Sequence, residues 1–245
     1  MIVYLLIPAA GMGRRMGSRR NKLLLTVLGQ PLLAWTLMSV KASQSIEWVG
    51  IIGQPEDWID LQEIATLVNL PQPVELITGG STRQESVYNG LQALPPDCDR
   101  VLIHDGARCL VTPDLFHRCG LALQQCDGLV AAIPVKDTIK IIDVDLNTVE
   151  STPERNRLWA AQTPQGFYVP LLKQCHEQGK KYRWEVTDDA ALFEQCGLKV
   201  TIVLGEEGNL KVTTPMDLAI AELILNNRSS TPIVSDQINY GTDES

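Results

Sequence analysis

Short apolar runs alternate along this chain with stretches whose apolar residues recur every three to four positions. Ile2–Ile7, Trp48–Ile52, Val74–Ile77, Arg100–Ile103, Leu129–Ile133 and Lys199–Leu204 have the length and content of buried strands. Between them, Leu32–Ala42, Trp58–Val68, Arg83–Ala93, Pro113–Gln125, Val169–Gln178 and Asp188–Gln195 carry helical spacing. Alternation at this pitch predicts an α/β fold, a mostly parallel sheet with helices on both faces. Helix starts are marked chemically: Thr112-Pro113 and Thr214-Pro215 each set a capping hydroxyl before a proline at the first helical position, and Thr187-Asp188-Asp189 caps and charges another start, with Gly197 just past its end.

One segment breaks the alternation. Thr138–Ile142 and Thr148–Glu150 read as two strands joined by a polar turn at Asp145–Asn147, a β-hairpin inserted into the α/β pattern. A hairpin alone is marginally stable, so this one should pack against a second subunit or fold back on its own domain. The chain is accordingly expected to form a single domain over residues 1–227, with 137–155 as an arm for dimerisation, and to continue as a disordered polar tail over 228–245.

With 245 residues, 44% of them hydrophobic and 20% charged, the composition is that of an ordinary globular chain with a sizeable core. The net charge of −8 argues against a nucleic-acid-binding surface and leaves room for a locally basic pocket that takes a small anion. The first apolar run is too short to span a bilayer and precedes the arginines that a secretory signal would follow, so a cytoplasmic location without membrane attachment is expected. The six cysteines form no C-x-x-C pair and histidines number three, which points to buried or incidental thiols, not to disulfides or a structural zinc site.

The candidate chemistry lies where the predicted strands end, the place where open parallel sheets bind ligands. Ile2–Ile7 empties into Pro8-Ala9-Ala10-Gly11-Met12-Gly13-Arg14-Arg15-Met16-Gly17, with Lys22 following. Small residues let backbone N–H groups approach an anion, and Arg14, Arg15 and Lys22 add cations; a plain turn with solvated arginines is the competing reading. The third glycine comes one residue late for a dinucleotide fingerprint, and no Gly-Lys-Ser/Thr follows as a Walker loop requires. A nucleoside triphosphate loop of the kind used in cleavage at the α-phosphate remains. After Val74–Ile77 come Gly80 and Ser81, with Ser86 one turn into a helix, placed to approach a base or ribose. After Ile103 comes Asp105, a carboxylate for a divalent metal or a substrate hydroxyl, or else a buried aspartate paired with Arg108.

In order along Ile2–Asn226, these segments, together with Arg83-x-x-Ser86-Val87, Pro134-Val135-x-Asp137-Thr138-Ile139-Lys140, Arg155-Asn156-x-Leu158-Trp159, Thr163-Pro164-Gln165, Thr187-Asp188 and Lys211-Val212-Thr213, resemble the 2-C-methyl-D-erythritol 4-phosphate cytidylyltransferase family of the non-mevalonate isoprenoid pathway. The resemblance implies a Rossmann-like sheet of the nucleotide-diphospho-sugar transferase type. It further implies CTP and methylerythritol 4-phosphate as substrates, magnesium, and a homodimer with interlocking arms. By position, Ala9, Ala10, Gly11, Gly13, Gly80, Ser81, Ser86 and Gly106 would line the CTP site, and Arg15 and Lys22 would stabilise the transition state. Asp105, Thr187 and Lys211 would hold the acceptor, while Thr138 and Arg155 would reach it from the partner's arm, with Arg157 close enough to exchange roles with Arg155. Asp105 is the one candidate metal ligand, the ion otherwise resting on the CTP phosphates. The chain departs from the family pattern in Asn21-Lys22-Leu23, where Pro-Lys-Gln is familiar, and in Gly106 and Cys109 of the His104-Asp105 segment.

The residue types suit such a reaction. Attack of a phosphate oxygen on the α-phosphorus gathers negative charge that fixed cations stabilise, and a nucleophile already anionic at neutral pH needs no strong base. A sister enzyme acting on ribitol 5-phosphate and a non-catalytic nucleotide-binding protein are the alternatives, separated by acceptor preference and by turnover.

Overall fold

In a computed structural model, described over residues 3–11 and 21–230, the first apolar run forms β1 (Val3–Pro8) at the heart of the molecule. The chain continues through a short hairpin, β2 (Thr26–Val27) and β3 (Gln30–Pro31), then α1 (Leu32–Ala42), β4 (Ile46–Gly53), α2 (Trp58–Val68), β5 (Val74–Thr78), α3 (Arg83–Ala93), β6 (Arg100–Ile103), α4 (Pro113–Ala122) and β7 (Gly128–Pro134). The arm, β8 (Ile141–Asp143) and β9 (Thr148–Ser151), precedes β10 (Trp159–Tyr168), α5 (Val169–Tyr182), α6 (Asp189–Gln195), β11 (Thr201–Leu204) and α7 (Pro215–Ser230).

Seven strands form one sheet in the order β11-β7-β10-β6-β1-β4-β5. All neighbours are parallel except β10, which runs antiparallel to both β6 and β7. The strands alternate side chains between two buried faces, as their unbroken apolar content requires. Leu5, Ile7, Val49, Ile51 and Leu102 join one core with α1, α2 and α4; Leu6, Trp48, Ile52, Val101 and Ile103 join the other with α3, α5 and α6. Gly50 supplies the gap this second core needs, since a Cβ there would lie 2.6 Å from Trp48 and 2.8 Å from Leu6 and Ile77. A third cluster packs Ala221 and Leu225 of α7 against Val27, Leu32 and Leu110.

Several boundaries move. Residues 159–168 lack an apolar run, yet β10 is a ten-residue strand whose Gln162, Thr163 and Gln165 are buried and hydrogen-bonded. The α5 helix runs four residues further than its spacing predicts, to Tyr182, and stops where Arg183 turns left-handed at φ 55°. The α4 helix ends at Ala122, three residues short of the expected Gln125. The hydroxyls of Thr112 and Thr214 do cap, accepting from Leu115 N at 3.1 Å and Asp217 N at 3.3 Å, whereas Asp188 and not Thr187 caps α6. The polar tail does not begin at Arg228: α7 continues to Ser230, and the Arg228 guanidinium donates to Leu110 O at 2.8 Å. Residues 231–245 of that expected tail lie outside the described residues.

Among the described residues the arm's strands pair only with each other, Ile142 opposite Val149 and Asp143 opposite Thr148. It leaves Ile141, Ile142, Val144, Leu146 and Val149 exposed, Val144 to 83%.

Candidate active site

The carboxyl ends of β1, β4, β5 and β6 open onto a cleft of about 730 Å³. Its floor is backbone held by the sheet's own ladder: Ala9 N donates to Ile52 O at 2.7 Å and Gly79 N to Gly53 O at 2.8 Å. The two loops pass so closely that a Cβ on Gly79 would sit 2.8 Å from the Ala10 methyl, so a glycine is needed there. Of the residues selected from the sequence, Ala9, Ala10, Gly11, Lys22, Gly80, Ser81, Ser86, Asp105, Gly106 and Lys211 line this one cleft. Gly13 and Arg15 lie outside the described residues. Thr138, Arg155 and Thr187 are exposed and do not line it; Arg155 instead donates to Lys136 O at 3.1 Å at the base of the arm.

Ser86 holds the glycine loop in place, accepting from Gly80 N at 3.0 Å and donating to Thr82 O at 2.8 Å. Beside it, the amide and hydroxyl of Ser81 both donate to Glu85, each at 2.7 Å, and these bonds, the hydroxyl's first, hold the Glu85 carboxyl below its ordinary range.

Asp105 is the electrostatic centre of the wall. Lys211 Nζ lies 2.6 Å from one carboxylate oxygen and Arg83 Nε 3.6 Å from the other. Burial alone would raise the Asp105 carboxyl, but Arg83 and then Lys211 outweigh it and keep the group ionised well below the usual range. Arg108, the alternative partner, is not bridged to it: its guanidinium donates to Asn209 O and Ala161 O, at 2.8 and 3.3 Å. Lys211 is fixed by its neighbour, since Val212 N donates to Ala107 O at 2.8 Å and so joins the two strand-end loops.

A buried relay sets the backbone of Asp105. Burial pushes the His104 imidazole down to about 4, so it is neutral, and Nε2 lies 3.2 Å from Arg108 O, which can only accept. Nε2 therefore carries the proton and Nδ1 accepts from the Thr163 hydroxyl at 3.0 Å. The same hydroxyl oxygen accepts from Asp105 N at 3.0 Å. This explains why polar residues of β10 are buried beside the site.

Arg83 lines the cleft but was not among the candidate site residues. It also bridges Asp189 at 2.7 Å, and although burial would weaken its charge, Asp189 and then Asp105 keep the guanidinium firmly protonated. A signal was present: an arginine in the first turn of a helix opposes the dipole there and needs a local reason. Gln54 was also missed; it donates to Gly80 O at 3.3 Å from a position with no motif of its own.

Among the described residues no group of three or more histidine, cysteine or acidic side chains is arranged to hold a metal, and Asp105 offers a single carboxylate already engaged with two cations. That donor set fits one contact to an ion whose other ligands come from a substrate, not a protein cage. Among the same residues no helix is long and apolar enough to cross a membrane.

Comparison with known proteins converges on one family. The family model for 2-C-methyl-D-erythritol 4-phosphate cytidylyltransferase matches residues 3–227. Proteins of that name from Crocosphaera subtropica and Microcystis aeruginosa are 69% and 66% identical over 226 residues, covering 92% of this chain and 99% and 100% of theirs. A crystal structure of 4-diphosphocytidyl-2C-methyl-D-erythritol synthase from Anaerococcus prevotii superposes with a TM-score of 0.82 at 32% identity, covering 92% of this chain and 98% of that one. The 2-C-methyl-D-erythritol 4-phosphate cytidylyltransferase of Thermus thermophilus superposes at 0.72 and 31% identity, covering 92% and 100%. With the strand-end cleft and the matched span both in place, the chain belongs to the 2-C-methyl-D-erythritol 4-phosphate cytidylyltransferase family.

Proposed function

We propose that this protein transfers the cytidylyl group of CTP to 2-C-methyl-D-erythritol 4-phosphate, in isoprenoid precursor biosynthesis. The convergence of the β1 loop, Lys22 and the Asp105–Lys211 pair on one cleft is the observation that carries the reading. An acceptor phosphate oxygen attacks the α-phosphorus of CTP, the bond from that phosphorus to the bridging oxygen breaks, and its electron pair departs with pyrophosphate. Ala9, Ala10, Gly11, Gly13, Gly80, Ser81, Ser86 and Gly106 hold the nucleotide, the small residues by letting it lie close to a loop backbone whose Ala9 and Gly80 amides are already tied within the protein. Lys22, with Arg15, meets the charge that develops on the α-phosphate. Lys211 and Thr187 bind the acceptor, and Asp105 accepts from its hydroxyls while orienting Lys211.

Asp105 would give a magnesium ion its one protein contact, the CTP phosphates supplying the rest, and the ion would neutralise triphosphate charge. The protein is a homodimer, for which the exposed apolar side chains of the arm are the support: they suit burial against a second copy, whose site would then receive Thr138 and Arg155. The six free thiols suit a reducing, cytoplasmic setting.

Magnesium-dependent pyrophosphate release, followed with methylerythritol 4-phosphate and in parallel with ribitol 5-phosphate, tests the assignment. Release should require the first acceptor. Preference for ribitol 5-phosphate would move the activity to the sister reaction, and CTP binding without turnover would reduce the protein to a nucleotide binder.

A further inference from the structure

Asn21 is 4% exposed and uses every part of its carboxamide. Its Nδ2 donates to Ala9 O at 2.5 Å and to Asp57 Oδ2 at 2.8 Å, and its Oδ1 accepts from Leu23 N at 3.0 Å. Three segments meet at this one side chain: the start of the anion loop after β1, the Pro55–Asp57 turn after β4, and the Lys22–Leu24 turn that carries Lys22. On the far side of Lys22, Leu23 is buried, its Cδ1 2.7 Å from where a Cβ on Gly106 would stand. Lys22 is thus carried between two anchors, one tied to the phosphate loop and one packed under the Asp105–Ala107 loop. A familiar proline at this position could supply neither donor.

We propose that Asn21 is a positioning residue for cytidylyl transfer, clamping the Lys22 turn to the anion loop through Ala9 O and to the β4 turn through Asp57. The proposal rests on the function proposed above. A preorganised cation stabilises developing charge only if its backbone cannot drift, because misplacement of the order of 1 Å can cost about 100-fold in rate. Capping alone would ask less of the residue: a serine caps a helical turn as well as an asparagine does, but it is too short to reach Ala9 O and Asp57 together.

The test is a double-mutant cycle on kcat and KM, with Asn21→Ala, Asn21→Ser, Lys22→Ala and Asn21→Ala/Lys22→Ala, and thermal melts for each. Asn21→Ala and Asn21→Ser should both lower kcat about 10- to 100-fold while changing the KM for CTP less than about threefold. In the Lys22→Ala background the same Asn21→Ala change should alter kcat less than about twofold, since a residue acting through Lys22 has nothing left to position. Wild-type kcat in Asn21→Ser, or equal losses in the two backgrounds, would overturn the proposal and leave the proposed function standing. Absence of turnover in the unaltered protein would remove both.

Discussion

At the scale of single residues, the proposed function divides the site's cations by task, and kinetics should separate them. In the proposed reaction Lys22 acts on the transition state, so Lys22→Ala should lower kcat by about two orders of magnitude or more with the fold intact. Lys211 is paired with Asp105 and in the proposed reaction binds the acceptor in the ground state as well, so Lys211→Ala should raise the KM of the acceptor about 10- to 100-fold, the worth of a charge-assisted hydrogen bond. Steady-state kinetics with each substrate varied in turn checks both; a loss in Lys22→Ala confined to KM would reject its role. His104 gives a second prediction. Its imidazole resists protonation until about pH 4, whereas in the unfolded chain it takes a proton near 6.5, so it contributes stability that is present above 6.5 and lost as the pH falls toward 4. NMR of the imidazole nitrogens should show the neutral, Nε2-protonated tautomer throughout pH 5–8. A charged ring at pH 5.5 would break the relay through Thr163 to Asp105. That Lys22, Lys211 and the small loop residues gather at one cleft was legible in the sequence, because small residues and cations after strands advertise themselves. Arg83 and Asn21 were not, since their importance lies in contacts with Asp189, 106 positions away, and Asp57, 36 positions away.

At the scale of elements, periodicity worked where burial is two-sided or one-sided and failed where it is polar. Helices α1, α2 and α3 begin and end where their spacing predicts; α2 and α3 turn one apolar face to the sheet, while α1 is buried on two sides, Leu33 and Leu37 in the sheet core and Leu32 against α7. Strand β10 escaped because it is buried through Gln162, Thr163 and Gln165, whose partners lie in distant loops and at the start of α6, which no local pattern encodes. The tail boundary moved too: α7 runs on through polar residues to Ser230, and Arg228 within it donates to Leu110 O, a contact that its composition does not announce. The packing of the sheet makes its own prediction. Gly50→Ala forces a methyl against Trp48, Leu6 and Ile77, and should cost about 2 kcal/mol, or roughly 4–8 °C in Tm. Calorimetry would show it, and an unchanged Tm would mean that these side chains repack freely.

At the scale of the whole molecule, the single chain brings ten of the sequence-selected residues to one cleft and leaves Thr138, Arg155 and Thr187 outside it. The proposed pairing of two chains through the arm would account for Thr138 and Arg155, and complementation can test it. If the arm pairs two chains as proposed, subunits carrying Lys22→Ala, co-produced with subunits carrying Arg155→Ala, would form mixed dimers in which one site of the two has both Lys22 and Arg155. With random pairing, activity should recover to about a quarter of that of the unaltered protein. Activity no greater than the average of the two parents would place Arg155 in its own subunit's site or outside catalysis. The central claim is cytidylyl transfer itself, and phosphorus NMR of the purified protein with CTP, magnesium and methylerythritol 4-phosphate reads it most directly. The account predicts a new diphosphate diester and pyrophosphate appearing in equal amounts, both only when the acceptor is present. Unchanged CTP, or its hydrolysis to CMP regardless of acceptor, would contradict it.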